Sequence, residues 1–331
     1  MSIAVTGSVA VDHLATFPGL FSKQLVPDKL EHISLSFLVD QVDVHHGGVA
    51  ANVAAGLARL GHRPLLVAAA GGDFAGYRAL LEDIGVDTAG VLIRASALTA
   101  QFWCTTDRAQ NQIASFHPGA MTAAKDIALA DTLAPLERIE LVVIAPNDPD
   151  AMARHTDDCR ELGVPFAADP SQQLARLDGE RVRRLVDGAR YLFTNEYEHA
   201  LLLRKTGWNE DDVHRRVGAW VTTLGANGAR VDQAGRRPVT VSAVPPVEVA
   251  DPTGAGDGFR AGFLAARGWG LPYADAARLG CAVATEVLET KGTLDYELDG
   301  ARLLERITGA HGAEAASALA GRLTPALAVE S

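Results

Sequence analysis

The sequence predicts an α/β fold of three layers: helices on both faces of a mostly parallel sheet, with a small β lid set into the chain. Three observations predict it. From residue 141 onward short apolar runs alternate with helical patterns, and strands alternating with helices give a parallel sheet covered on both faces. The run 3–7 is apolar and closed by glycine, as a buried first strand is. Two stretches, 13–45 and 97–118, carry β-branched and aromatic residues without a helical period. Segments 1–12, 46–96 and 119–331 therefore make the α/β domain, and 13–45 with 97–118 make the lid. No repeat, low-complexity run or linker divides the chain.

Taken in order, the elements each have a local reason. Asp12 follows the first strand, where open α/β sheets meet ligands. A carboxylate there can accept two hydrogen bonds from a vicinal diol, although a solvated turn aspartate reads the segment equally well. Pro18 and Pro27 break any helix in the first lid segment. Residues 34–39 and 41–44 alternate loosely, as half-buried strands do. Gly47 and Gly48 then lead into an alanine-rich helix ending near Gly61, with Asn52 on its first turns. His45 and His46 read as lid or turn residues, since no third ligand is spaced to join them on a metal.

Residues 64–70 read as a strand, 71–73 as a turn and 74–84 as a helix capped by Asp73. Segments 99–106 and 110–116 flank the polar turn 107–109 and predict a hairpin carrying Phe102 and Phe116. Those rings either stack on a planar base, at about 1–3 kcal/mol per contact, or pack against the other β segment or a partner subunit. Beyond 141, strands fall at 141–145, 164–169, 191–195 and 220–224. Helices fall at 148–162, 179–186, 196–205 and 274–289, and Asn209 opens another with Asp212 three residues on, a capping box. The alanine-rich tail beyond Gly309 predicts a surface helix with a frayed end.

Composition bounds the function. The chain has 331 residues, 48% hydrophobic and 21% charged, ample for a buried core. A net charge of −11 argues against a general nucleic-acid or anionic-membrane binder. Cys104, Cys159 and Cys281 are few and far apart, which predicts reduced thiols and no metal spacing. No apolar run reaches the length of a membrane span, and residues 1–5 carry no charged leader pattern. The expectation is a cytoplasmic protein.

Residues 251–264 organise the rest. Thr253, Gly254, Ala255 and Gly256 form a small-residue turn ending on Asp257, and an apolar helix starts beyond it. Small residues let successive N–H groups converge, and a helix N-terminus adds unpaired donors and partial positive charge. The product is an anion hole. Asp257 would repel an anion, so beside such a hole it makes sense as a general base; a plain capped turn is the alternative for these four residues alone. Three strand ends also carry polar clusters, at 169–176, 194–198 and 222–228, which favours a site over chance turns.

The whole run 251–264 resembles the second signature of the ribokinase-type (PfkB) carbohydrate and nucleoside kinases. The spacing of Gly47, Asn52, Gly61 and Gly71 resembles their first. That resemblance implies a ribokinase-like fold, with Asp257 as catalytic base and Gly254, Ala255 and Gly256 as the anion hole. It places Asn195 and Glu198 near phosphate and water-bound Mg²⁺, and Thr223, Gly225 and Gly228 beside ATP. The helix at 274–289, with Cys281, Ala282 and Thr285, would wall the adenine of ATP. Stretches at 3–8, 35–40, 113–121 and 166–176 are similar to the actinobacterial adenosine kinases of that family. By that resemblance Phe102 and Phe116 sandwich adenine, Ser8, Asp12, Gly48 and Asn52 surround the ribose, and Met121, Gln172, Gln173 and Arg176 lie near the nucleoside. Ser36 falls in a matching stretch and joins the expected nucleoside contacts. The expected partners are then a nucleoside and ATP, with no nucleic acid or membrane, and a second copy paired through the lid.

Overall fold

Strand β1 (Ile3–Thr6) is buried at all four residues and pairs in parallel with a strand on either side. In the computed structural model, which describes residues 2–25, 35–109, 111–136 and 138–327, twelve further strands follow it. They are β2 (Ala10–Phe17), β3 (Gln41–Gly47), β4 (Leu65–Gly71), β5 (Val91–Arg94), β6 (Ala100–Asp107), β7 (Gln112–His117), β8 (Leu141–Ile144), β9 (Phe166–Ala168), β10 (Tyr191–Asn195), β11 (Ala219–Thr223), β12 (Ala229–Asp232) and β13 (Val239–Val241). Nine of the thirteen described strands form one sheet in the order β13-β12-β11-β10-β9-β8-β1-β4-β5. Its pairings are parallel except at the β11–β12 and β12–β13 edge. This is the three-layer α/β architecture with a mostly parallel sheet expected from the sequence.

The sheet separates two cores, and the strand pleat assigns residues between them. Ile3, Val5, Leu66, Ala68, Val143 and Val221 face one core. Their neighbours Ala4, Leu65, Val67, Val142, Ile144 and Trp220 face the other. Period-two alternation within strands that are apolar throughout is the signature of a sheet covered on both faces. Helices Val49–Arg59, Ala255–Gly268 and Tyr273–Leu288 fill the first layer. Helices Pro149–Glu161, Gly179–Val186 and Glu196–Thr206 fill the second.

Small residues set how closely the first layer packs. A Cβ on Gly56 would stand 2.5 Å from the Ala261 Cβ, and one on Gly262 would stand 2.8 Å from the Leu279 carbonyl. The three helices therefore meet almost backbone to backbone, which places Asn52 on one opposite Asp257 on another.

The lid is a separate four-stranded sheet, β3-β2-β6-β7. The predicted hairpin is present as β6 and β7, paired antiparallel, and Gln41–Gly47 contains the second expected strand. Strand β2 was not anticipated. It is the inner strand of the lid, antiparallel to β3 and parallel to β6, so the lid begins at Ala10 rather than at residue 13. Its sequence hides it because most of its residues are half-buried on both faces, which leaves no clean alternation to read. The strand expected at 34–39 is not one. Residues 35–39 have no regular structure, Ser34 lies outside the described residues, and Phe37 packs against Phe17 and Phe21.

A further correction concerns a cap. Asp73 does not cap the helix Ala75–Ile84; its carboxylate instead accepts from the Thr99 amide and hydroxyl at 2.8 and 2.7 Å. The C-terminal helix Ala313–Leu327 lies on the surface with one face turned inward, and the end expected to fray falls outside the described residues. Leu319 and Leu323 are fully buried in the first core together with Leu303 and Ile307. The Asn209–Asp212 capping box is present as expected. The three cysteines are free and buried. No described helix is long and apolar enough to cross a membrane.

Gly48 has φ 101°, and a Cβ there would stand 2.6 Å from the Ser8 carbonyl. Gly48→Ala should therefore destabilise the protein by about 1–3 kcal/mol. Gly76→Ala, in an exposed helix turn where a Cβ meets nothing within 4 Å, should stabilise it by about 0.5–1 kcal/mol. Urea unfolding midpoints of the two variants check both signs.

Candidate active site

The carboxyl ends of β1, β8, β9, β10 and β11 open onto one cavity of about 680 Å³, roofed by the lid. Its floor is the start of helix Ala255–Gly268. Gly254 precedes that helix with φ 80°, a left-handed conformation suited to glycine. That turn brings the Gly254 carbonyl back to accept from the Asp257 and Gly258 amides, both at 2.9 Å. Ala255 donates to Pro252 at 3.4 Å. The Asp257 and Ala255 amides are thus both engaged within the turn, which leaves those of Gly254 and Gly256 as the candidate anion hole. Gly254 and Gly256 line the cavity, and Ala255 does not.

Asp257 is the centre of the site. Its carboxylate accepts from Asn52 Nδ2 at 2.8 Å, and Asn52 Oδ1 accepts from the Thr293 hydroxyl at 2.9 Å. The threonine fixes which way the amide faces, so the chain Thr293–Asn52–Asp257 orients the carboxylate. Both polar ends of Asn52 are engaged with protein, which makes it a positioning residue as well as a wall of the cavity. Burial pushes the Asp257 carboxyl up to about 6. Arg260 and the Asn52 hydrogen bond oppose the rise, and Asp12 and Glu198 add to it. A carboxylate titrating there is ionised at neutral pH yet more basic than an ordinary aspartate, as a general base should be.

The lid supplies the opposite wall. Asp12 lies on β2 in register with Phe102 on β6, which is in register with Phe116 on β7. All three line the cavity. Burial also raises the Asp12 carboxyl to about 6, opposed by His45 and His13. A Cβ on Gly47 would stand 2.5 Å from an Asp12 carboxylate oxygen, so glycine there makes room for it. Phe116 is 46% exposed, a large apolar surface facing a cavity with nothing of the protein upon it.

The remaining expected residues divide. Ser8, Gly48, Met121, Gln172, Gln173 and Arg176 line the cavity. The Ser8 hydroxyl also accepts from the Val49 amide at 3.1 Å, and Gln173 donates to the Asn147 carbonyl at 2.9 Å. Asn195, Glu198, Thr223 and Gly225 line it too. The Asn195–Glu198 motif is a full capping box: each side chain accepts from the other's amide, at 2.8 Å in both directions. Ser36 is exposed and is not among the lining residues. Gly228 is also outside the cavity. A Cβ there would stand 2.0 Å from the Val241 carbonyl, so this glycine serves the close approach of β12 and β13. Cys281, Ala282 and Thr285 do not line it either; the Thr285 hydroxyl donates to the Val244 carbonyl at 2.7 Å.

Several lining residues carried no signal in the sequence. Arg260 stands one helical turn after Asp257 and is buried against the equally buried Asp169, with Nε to Oδ2 at 2.5 Å. Thr293 and Asn147 reach the site from distant loops. Ser171 is the one described non-glycine residue in the left-handed region, at φ 44°, and backbone strain of this kind clusters at ligand sites.

The donor set fits a phosphate-borne cation better than a caged one. No cluster of three His, Cys, Asp or Glu able to hold a metal exists among the described residues. Glu198 commits Oε2 to the Asn195 amide, which leaves Oε1 for a water. Mg²⁺ held by substrate phosphates and waters has this requirement.

The pfkB family carbohydrate kinase profile matches residues 8–298. A nucleoside kinase of Methanothermobacter thermautotrophicus is 35% identical over 278 residues, 81% of this chain and 86% of that protein. A nucleoside kinase of Methanocaldococcus jannaschii is 27% identical over 88% of this chain and 91% of its own. Among solved structures, the Burkholderia thailandensis nucleoside kinase in complex with inosine superposes with a TM-score of 0.83. It is 33% identical over 94% of this chain and 98% of that one. With that profile spanning most of its length and a relative 35% identical over 81% of it, the chain belongs to the PfkB family of carbohydrate kinases.

Proposed function

We propose that this chain is an ATP-dependent nucleoside kinase that phosphorylates the 5′-hydroxyl of adenosine, giving AMP and ADP, a purine-salvage reaction. The observation that carries the reading is the placement of Phe102 and Phe116 across one cavity from Asp257. A sugar acceptor needs no aromatic platform, whereas a base does. The nucleoside kinases of similar sequence and structure support the acceptor class.

In this reading the nucleoside base lies on the lid rings and Asp12 accepts from the ribose hydroxyls. Asp257 takes the 5′-hydroxyl proton as the oxygen attacks the γ-phosphorus. The Pγ–O bond to ADP breaks, and the amides of Gly254 and Gly256 donate to the phosphoryl oxygens in transit. Mg²⁺, when bound with the triphosphate, screens its charge. Asn195, Glu198, Thr223 and Gly225 form the triphosphate end of the cavity.

The lid's outer face suggests a second copy as partner. Val42, Val44, Trp103 and Ile113 alternate away from the cavity and are 54%, 59%, 41% and 46% exposed. Contiguous apolar exposure of this kind marks an interface.

Four measurements test the proposal. ADP release should be strong with adenosine and weak with ribose or fructose; preference for a sugar would leave Asp257 as base and make the lid rings structural. Asp257→Asn should lower kcat by about 10²–10⁴-fold with adenosine affinity largely kept, and near-normal turnover would remove it as base. Phe102→Ala should raise KM for adenosine by about 10-fold or more, given about 1–3 kcal/mol per stacked base. The pH profile carries a sign. Because the Asp257 and Asp12 carboxyls are raised to about 6, kcat/KM should fall as pH drops through 6, well above the range of an ordinary aspartate.

A further inference from the structure

The guanidinium of Arg260 is buried, and its carbon lies 5.7 Å from the centre of the Phe193 ring. One carboxylate faces it: Nη2 donates to Asp169 Oδ1 at 2.6 Å, and Nε stands 2.5 Å from Asp169 Oδ2 as an ion-pair contact without hydrogen-bond geometry. Asp169 follows β9, is itself fully buried, and is fixed by its own amide donating to the Ile144 carbonyl at 2.9 Å. A charge-assisted hydrogen bond beside a second close ion-pair contact holds the guanidinium in place. The third nitrogen, Nη1, lies against Gly256, 2.8 Å from where a Cβ on that residue would stand. Glycine at 256 therefore does two things: it bares a helix-start amide and makes room for a cation beside it.

We propose that Arg260 is a catalytic residue of the phosphoryl transfer, its Nη1 donating to the phosphoryl group in transit alongside the Gly254 and Gly256 amides. The step balances without any further reactant. The acceptor oxygen bonds to the γ-phosphorus, the bond from that phosphorus to the ADP oxygen breaks, and the acceptor proton passes to Asp257. Arg260 keeps its proton throughout and matches charge that moves from the β–γ bridge onto the phosphoryl oxygens. The lining carboxylates of the cavity are those of Asp12, Glu198 and Asp257, and its described lining arginines are Arg176 and Arg260, with Asp169 buried behind Arg260. A phosphoryl group approaching Asp257 meets repulsion unless a fixed cation stands at the anion hole. A role confined to tying helix Ala255–Gly268 to β9 would use Nε and Nη2 and would not need the third nitrogen at Gly256.

The inference rests on the kinase reading above but not on its acceptor, so the test runs with whichever acceptor supports wild-type turnover. Compare Arg260→Lys, Arg260→Met and the pair Asp169→Asn with Arg260→Met, which leaves no lone buried carboxylate. Read kcat on the high-pH plateau, where Asp257 is ionised, together with acceptor affinity by calorimetry and Tm. Arg260→Met should lower kcat by about 10²–10³-fold with acceptor affinity within about threefold. Arg260→Lys, a point charge in place of a fork, should fall between it and the wild type. The double variant should regain Tm without regaining kcat. Recovery of kcat in the double variant, or an Arg260→Met kcat within about threefold of wild type, would reduce Arg260 to a structural tie and overturn the inference. Wild-type protein that releases no ADP with any nucleoside or sugar would instead overturn the kinase reading, and this one with it.

Discussion

The site depends on how closely helix Val49–Arg59 can approach helix Ala255–Gly268. Gly56 faces Ala261 with no room for a Cβ. That approach lets Asn52 reach Asp257 across the two helices at 2.8 Å. A larger residue at 56 would separate the backbones, and cores resist such insertion because they are already close-packed. Gly262 against Leu279 repeats the device one layer on. The catalytic geometry is thus a by-product of small-residue packing: the helices are positioned first, and the polar side chains meet because their carriers do.

Burial then sets the chemistry. Asp257 and Asp12 are both half-buried in the cavity wall, and desolvation raises both to about 6. A raised carboxyl is costly to keep ionised, and the same desolvation makes it more basic than an ordinary aspartate. The Arg260–Asp169 pair is the counterweight. Two buried charges alone contribute little net stability, but this pair sets a buried cation one helical turn from Asp257. The acidic chain can therefore hold an anionic ligand, because local donors rather than net charge decide the potential inside a narrow cavity.

The lid completes the cavity by strand register. Asp12, Phe102 and Phe116 stand side by side across three strands, so one face of one small sheet offers both a carboxylate and two rings. The opposite face carries the exposed valines and Trp103. Period-two alternation assigns every lid side chain to one role or the other, and a slip of one residue would exchange them.

Much of this was written in the sequence. The βα rhythm, the hairpin at 100–117 and the glycine-rich turn before Asp257 are local patterns, fixed by propensity, spacing and backbone sterics, so they could be read without coordinates. The cavity residues that lie in those patterns were legible for the same reason. What stayed hidden is what depends on distance through space. Strand β2 has no clean alternation because its burial comes from neighbours on both faces. Ser36 and Gly228 sit in the right motifs but outside the cavity, and Asn195 with Glu198 doubles as a helix cap. Arg260 finds Asp169 91 residues away, and Thr293 finds Asn52 241 residues away. The sequence by itself determined which backbone turns can bare amides and where a carboxylate follows them. Only the tertiary structure decided which partners orient that carboxylate and how far burial raises it, because hydrogen bonding and desolvation act between groups the chain brings together only when it folds.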